Sequence, residues 1–200
     1  NTDLQISSAV IVDNSNEFII TGEADLTMLS TLNISAGGVT STAGTLSFLG
    51  GGELTGTGTI DFSGSTWVTG SSLFKLGGSY IFHQTNLKLG KDTTLTSDQP
   101  LNIALLDLNG FILTLGSADS DLTVEESLII DQSTEGISTG EADLILISAL
   151  TMSDGLLQSA GGSIILKSAL TMSGGLLQST GGSIKFASNQ TSRLSGDAVM

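Results

Sequence analysis

The chain has no cysteine. No disulfide can staple it, and no thiolate is available for nucleophilic or redox chemistry, although this leaves the compartment open. Proline occurs once, at Pro100. Proline removes a ladder donor and is excluded from central strands, so its scarcity is compatible with a chain made of little else. Aromatic residues make up 4% of the 200, thin for the core of a globular enzyme. Six Lys and Arg stand against 20 Asp and Glu, a net charge of −14. That balance repels phosphate backbones and anionic lipid surfaces, which argues against nucleic-acid partners. No apolar run approaches the length needed to cross a bilayer as a helix, so membrane insertion is not expected. The opening residues, NTDLQISSAV, carry neither the charged region nor the apolar stretch of a secretion signal.

What is present is repetition. SALTMSDGLLQSAGGSIILK (148–167) is followed without a gap by SALTMSGGLLQSTGGSIKFA (168–187), identical at 15 of 20 positions. A tandem period of this length marks units that bury their apolar faces only by stacking on their neighbours. Within each unit apolar residues alternate: Leu150 and Met152, Leu170 and Met172, Ile164 and Leu166, Ile184 and Phe186. Period two means strands with one face in and one face out. Thr151, Thr171, Ile165 and Lys185 fall on the outward face, and the exchange of Ile165 for Lys185 between copies suits a solvated position. Gly155, Gly161 and Gly162, with Gly175, Gly181 and Gly182, separate the strands and supply corners by tolerating positive φ.

Three short strands and three corners in 20 residues describe one rung of a parallel β-helix, an all-β solenoid. At about 4.8 Å per rung, roughly ten rungs would build a rod about 50 Å long. A leucine-rich repeat of the same period would need an Asn or Cys ladder and a helical return limb, and neither is present. The 53 Ser and Thr and 26 Gly suit outward positions and corners.

Older copies extend the pattern. TGEADL occurs at 21–26 and again at 139–144, 118 residues apart. This interval is close to six rungs, so both ends are expected to share one rung template. LTGTGTIDF (54–62), NLKLGKDTTLTS (86–97), LLDLNGFILTL (105–115) and SDLTVEESLII (120–130) give further L-x-L pairs. Asn109-Gly110 reads as a tight turn. With no linker and no break in composition, residues 1–200 read as a single domain. Strand pattern reaches both ends without a polar cap, so the expectation is a fragment of a longer repeat protein whose exposed edges pair with other copies.

Candidate chemistry is sparse. Eight acids, from Asp119 to Asp143, fall within 25 residues that hold no Lys or Arg. Asp119, Asp121 and Glu125 are the candidate calcium ligands, since calcium takes six to eight oxygen donors. Neither the EF-hand frame nor the nonapeptide of calcium-binding β-rolls accompanies them, and a solvated acidic face is the competing reading. Paired carboxylates on adjacent rungs would be needed to cleave a polysaccharide. Asp61, in GTIDF, stands alone, and the sole His (His83) and sole Arg (Arg193) have no partners in the sequence that would make them catalysts. No catalytic residue, and no cofactor beyond possible calcium, is therefore assigned. Trp67 and Tyr80 suit core positions better than a sugar-stacking platform. Thr55, Thr57, Thr59 and Thr93, Thr94, Thr96 would form an ice-binding array only if a T-x-T triplet recurred at one place in every rung. Asn33-Ile34-Ser35 and Asn189-Gln190-Thr191 are weak glycosylation signals.

The rung period, LDLNGFILTL (106–115) and the SxGGSIxF-type strands resemble secreted bacterial β-helix proteins, the filamentous-haemagglutinin-like adhesins and autotransporter passenger regions. The resemblance covers essentially the whole chain and is one of style. It implies a right-handed helix, export, and a structural or adhesive role at the cell surface. The expected partners are then a host-cell or matrix surface, a glycan, or neighbouring copies of the chain. A carbohydrate-binding or polysaccharide-cleaving β-helix is the alternative, and a self-assembling filament subunit a further one.

Overall fold

A computed structural model describes residues 2–49, 54–70, 73–76, 79–82, 84–187 and 192–194. Among them every regular element is a β-strand, and every recorded strand pair is parallel. The chain is a β-solenoid, and the 148–187 repeat shows how it is wound. Leu150–Met152, Leu156–Ser159 and Ser163–Leu166 form three sides of one rung. Leu170–Met172, Leu176–Ser179 and Ser183–Phe186 lie on them one rung further on. The register is in phase throughout: Leu150 on Leu170, Leu157 on Leu177, Ile164 on Ile184.

Followed along the chain, the side that holds Leu150–Met152 contains ten stacked strands among the described residues, from Leu4–Ile6 to Ser192–Leu194. Each step advances 19 to 22 residues; Leu87 on Leu106 is the shortest and Leu4 on Leu26 one of the longest. Nine three-strand rungs thus precede the strand at 192–194, a stack close to the expected ten. At about 4.8 Å per rung the nine span roughly 40 Å.

Alternation decides what lies inside. Leu26, Met28, Leu46, Phe48, Trp67, Leu87, Leu89, Leu106 and Leu150 line one side of a continuous core. Leu32, Ile34, Leu54, Leu95, Leu113, Ile137 and Leu157 line the second, and Val39, Ile60, Leu101, Leu122, Leu144 and Ile164 the third. Thr151 and Thr171 face solvent, as the pattern requires. The interior is not wholly apolar. Ser41, Ser65, Thr69, Thr85 and Thr93 are also buried, and they bond to each other or to neighbouring carbonyls: Ser65 to Ser41 at 2.9 Å, Thr69 to Thr93 at 2.9 Å, Thr85 to the Phe62 carbonyl at 2.7 Å. Each of these hydroxyls meets a partner on the rung above or below, whereas the enclosed Thr139 Oγ1 and Ser179 Oγ have none among the described residues.

The two clearest glycine corners work by different means. Gly155 and Gly175 hold φ near +80°, as expected of a left-handed corner. Gly162 and Gly182 do not; their constraint is crowding between rungs. A Cβ on Gly162 would fall inside the van der Waals radius of the Ala142 carbonyl oxygen, and one on Gly182 inside that of the Gly162 oxygen. Gly162→Ala should therefore force two rungs apart locally and cost about 2–3 kcal/mol, the scale of overpacking. Thermal melting of the variant checks this, and an unchanged melting temperature contradicts it.

The duplicated TGEADL motif corrects one expectation. Leu26 belongs to the side of Leu150, whereas Leu144 pairs with Leu122 and Ile164 on a different side. The two copies occupy different corners, and the shared template is displaced by one side of the triangle. Successive strands start about seven residues apart, one-third of a rung of about 21. An interval of 118 residues thus fits 17 strand positions as well as six rungs. The intervening corners are also unusual. Leu101–Asp107 and Leu122–Ile130 each run through a corner without a turn, and a register shift places Ala104 opposite Glu125 and Glu126.

Candidate functional surface

Carboxylates at the corners serve the stack itself. The aspartate just before a strand accepts the backbone N–H of the residue one rung further on. Asp25 N–H donates to Asp3 Oδ1 at 3.3 Å and Thr45 N–H to Asp25 Oδ1 at 2.7 Å at one corner. Ile112 N–H donates to Asp92 Oδ1 at 2.9 Å at a second. Asp143 N–H donates to Asp121 Oδ1 at 2.7 Å and Ser163 N–H to Asp143 Oδ1 at 2.6 Å at the third. All three corners thus use one device, an acceptor for an amide that a turn would otherwise leave unpaired. Asp143→Ala removes one such acceptor from a half-buried corner and should cost about 1.5 kcal/mol. Urea denaturation of the variant measures it; no shift in midpoint would show that the bond contributes nothing.

Glu135 is the one charged residue among the described residues that is fully buried. Its Oε2 accepts Asp131 N–H at 2.7 Å and Gln132 N–H at 3.2 Å, and its Oε1 accepts Gly110 N–H of the preceding rung at 2.7 Å. The side chain fills the inside of a corner and joins two rungs. Composition gave no sign of this role. A comparison of IDQSTE (130–135) with VDNSNE (12–17), again 118 residues apart, would have shown it: Glu17 Oε2 likewise accepts Asp13 N–H, at 3.4 Å.

The candidate calcium ligands are separated in role. Asp119 is exposed in the turn at 117–120, Asp121 is engaged by Asp143 N–H, and Glu125 stands half-buried at the turnless corner. Among the described residues no three carboxylates or histidines are grouped so as to hold a metal ion. The melting temperature is accordingly expected to be the same in millimolar calcium and in chelator. A clear rise with calcium would restore the site.

The remaining candidates are dispersed. Asp61 Oδ1 accepts Ser63 N–H at 3.0 Å and so closes its own turn. Trp67 is buried, stacked on Phe82 at 5.3 Å, with Phe62 edge-on to both rings, so it belongs to the core and not to a platform. Thr93 faces inward while Thr94 and Thr96 face outward, and Thr55, Thr57 and Thr59 lie on two sides and the corner between them. No flat threonine array results. Arg193 is exposed on the strand at 192–194, and Asn33 is half-buried on the strand Leu32–Ile34. Asn109, at φ 50°, and Gly110, at φ 89°, form the expected turn, and Asn109 Nδ2 donates to the Leu89 carbonyl one rung back. His83 and the Asn189–Thr191 triplet lie outside the described residues, as does the side chain of Tyr80. An outward ion pair, Lys88 with Asp107 at 3.2 Å, links adjacent rungs and contributes little in solvent.

Comparison with protein-family models, curated proteins and solved structures returned no match.

Proposed function

We propose that the chain is a structural segment of an extracellular surface rod, an adhesin stalk or surface filament whose role is mechanical and not catalytic. The observation that supports this reading best is the parallel stack of ten strands along one side, from Leu4–Ile6 to Ser192–Leu194, with one core running through the described residues. Buried and corner polar groups are spent on joining rung to rung: the aspartates at three corners, Glu135, and the internal hydroxyls. In such an array each rung is held by its neighbours, so length is gained without a new core. The outward Ser, Thr, Asp and Glu keep the rod hydrated and negatively charged. Corners can accept binding residues without disturbing the strands, and there a stalk would carry its adhesive groups for a host surface or glycan.

Antibodies against the chain, applied to intact cells that produce it, test the reading. Labelling of the outer surface in immunogold micrographs is the expected result. Labelling only after permeabilisation would overturn it.

A further inference from the structure

Outward strand positions along the solenoid are mostly Ser, Thr, Asn, Gln or charged, and exposed large apolar side chains in the later rungs are scattered singly, as on ordinary surfaces. The first rung departs from this. Ile11 is 66% exposed, Phe18 51% and Ile20 74%. Alternation puts all three outward: Val10 and Val12 flank Ile11 on the inward face, and Ile19 lies inward between Phe18 and Ile20. A further rung stacked on this one would cover its strand edges and the inward-facing Leu4 and would flank these three side chains. Their outward direction is set by the alternation and not by what lies along the axis.

The patch turns one corner of the rung, with Ile11 on one side and Phe18 and Ile20 on the next. It is also built into the rung beneath. Phe18 packs against Gly38, where an added Cβ would sit 2.9 Å from its ring. The corner between the two sides carries exposed Asp13 and Glu17, and exposed Glu23 and Asp25 follow Ile20. No Lys or Arg occurs before Lys75, while seven Asp and Glu do.

We infer that this face is a docking surface for a cationic amphipathic polypeptide segment. Its apolar side would cover Ile11, Phe18 and Ile20, and its Lys or Arg would meet the acids around them. A second copy of the chain is the wrong complement, because the same rung on another molecule brings the same acids. The inference goes beyond the stalk reading and does not rest on it, since a rod of any location could carry such a face.

The test uses the whole chain and a labelled synthetic peptide of leucine and lysine patterned at helical period, read by fluorescence anisotropy. Saturable binding that weakens with salt is expected. It should fall about tenfold or more in the triple variant Ile11→Ser, Phe18→Ser, Ile20→Ser, and by a smaller factor in Ile20→Ser alone. It should be unchanged in Ile129→Ser with Ile147→Ser, which removes apolar groups elsewhere. The variants alter outward positions, so their circular dichroism should match that of the parent. The inference is overturned by absent binding, by equal binding to the triple variant, or by equal binding of a leucine–glutamate peptide. It is overturned equally by a concentration-dependent dimer that the triple variant abolishes, which would make a second copy the occupant.

Discussion

Glu135→Ala is expected to lower stability by about 4 kcal/mol. The carboxylate accepts three backbone N–H groups inside a corner, from Gly110, Asp131 and Gln132. Removing the acceptor strands three part-buried donors, at about 1–3 kcal/mol each less what entering water restores. Glu135→Gln should fall between parent and alanine. Its amide oxygen can still accept, but its NH2 group points a donor at donors. Thermal melting should rank the three, with the alanine variant about 10 °C below the parent for a chain of this size. Equal melting temperatures for the glutamine and alanine variants would show that acceptor geometry is not what holds the corner.

Trp67→Ala should cost a similar amount, about 4 kcal/mol, through a different mechanism. Trp67 is the largest buried side chain, and its removal would leave Phe62 and Phe82 facing a void. In a one-dimensional stack the loss should stay local, because each rung contacts only its neighbours. Hydrogen exchange should accelerate in the strands Thr45–Phe48, Thr66–Thr69 and Asn86–Leu89, while Leu150–Met152 and Leu170–Met172 keep their protection. Uniform acceleration along the whole chain would contradict a stack of locally coupled rungs.

The architecture was legible because residues 148–187 repeat with so few changes that strand, corner and period all show at once. The alternation of Leu150 with Met152 and of Ile164 with Leu166 needed no further support. Elsewhere the signal blurs for identifiable reasons. A triangular rung has three strand positions of nearly equal length, so a motif can move from one corner to another with little change in spacing, and TGEADL did so. The run from Leu101 to Asp107 conceals a corner, because Ala104 is as apolar as its neighbours and no Gly or Asn marks the bend. Thr93 and Ser97 read as surface residues from their chemistry, yet both face inward beside hydroxyl or carbonyl partners.

The acids were harder still. Asp121 was legible as a carboxylate in an acidic run, which suggests metal. Its actual partner is a backbone amide one rung away, and only the recurrence of Asp-Leu at 3–4, 25–26, 121–122 and 143–144 hints at that. Each pair is spaced by 22 residues, one rung, and precedes an inward leucine. The apolar face at Ile11, Phe18 and Ile20 could not be separated from core by composition, because FII reads as a buried strand until its register is known.

The parallel in-phase stack can be tested directly, and the natural absence of cysteine makes the test clean. In the double variant Thr151→Cys, Thr171→Cys the two thiols occupy partnered positions on neighbouring rungs. Their separation, about 4.8 Å between strands, lies within disulfide range. In Thr151→Cys, Ile165→Cys the thiols are closer in sequence but lie on different sides of the rung. Mild oxidation followed by mass spectrometry should give an intramolecular disulfide in the first variant and unreacted thiols in the second. Cross-linking of the second pair, or failure of the first, would contradict the winding described above.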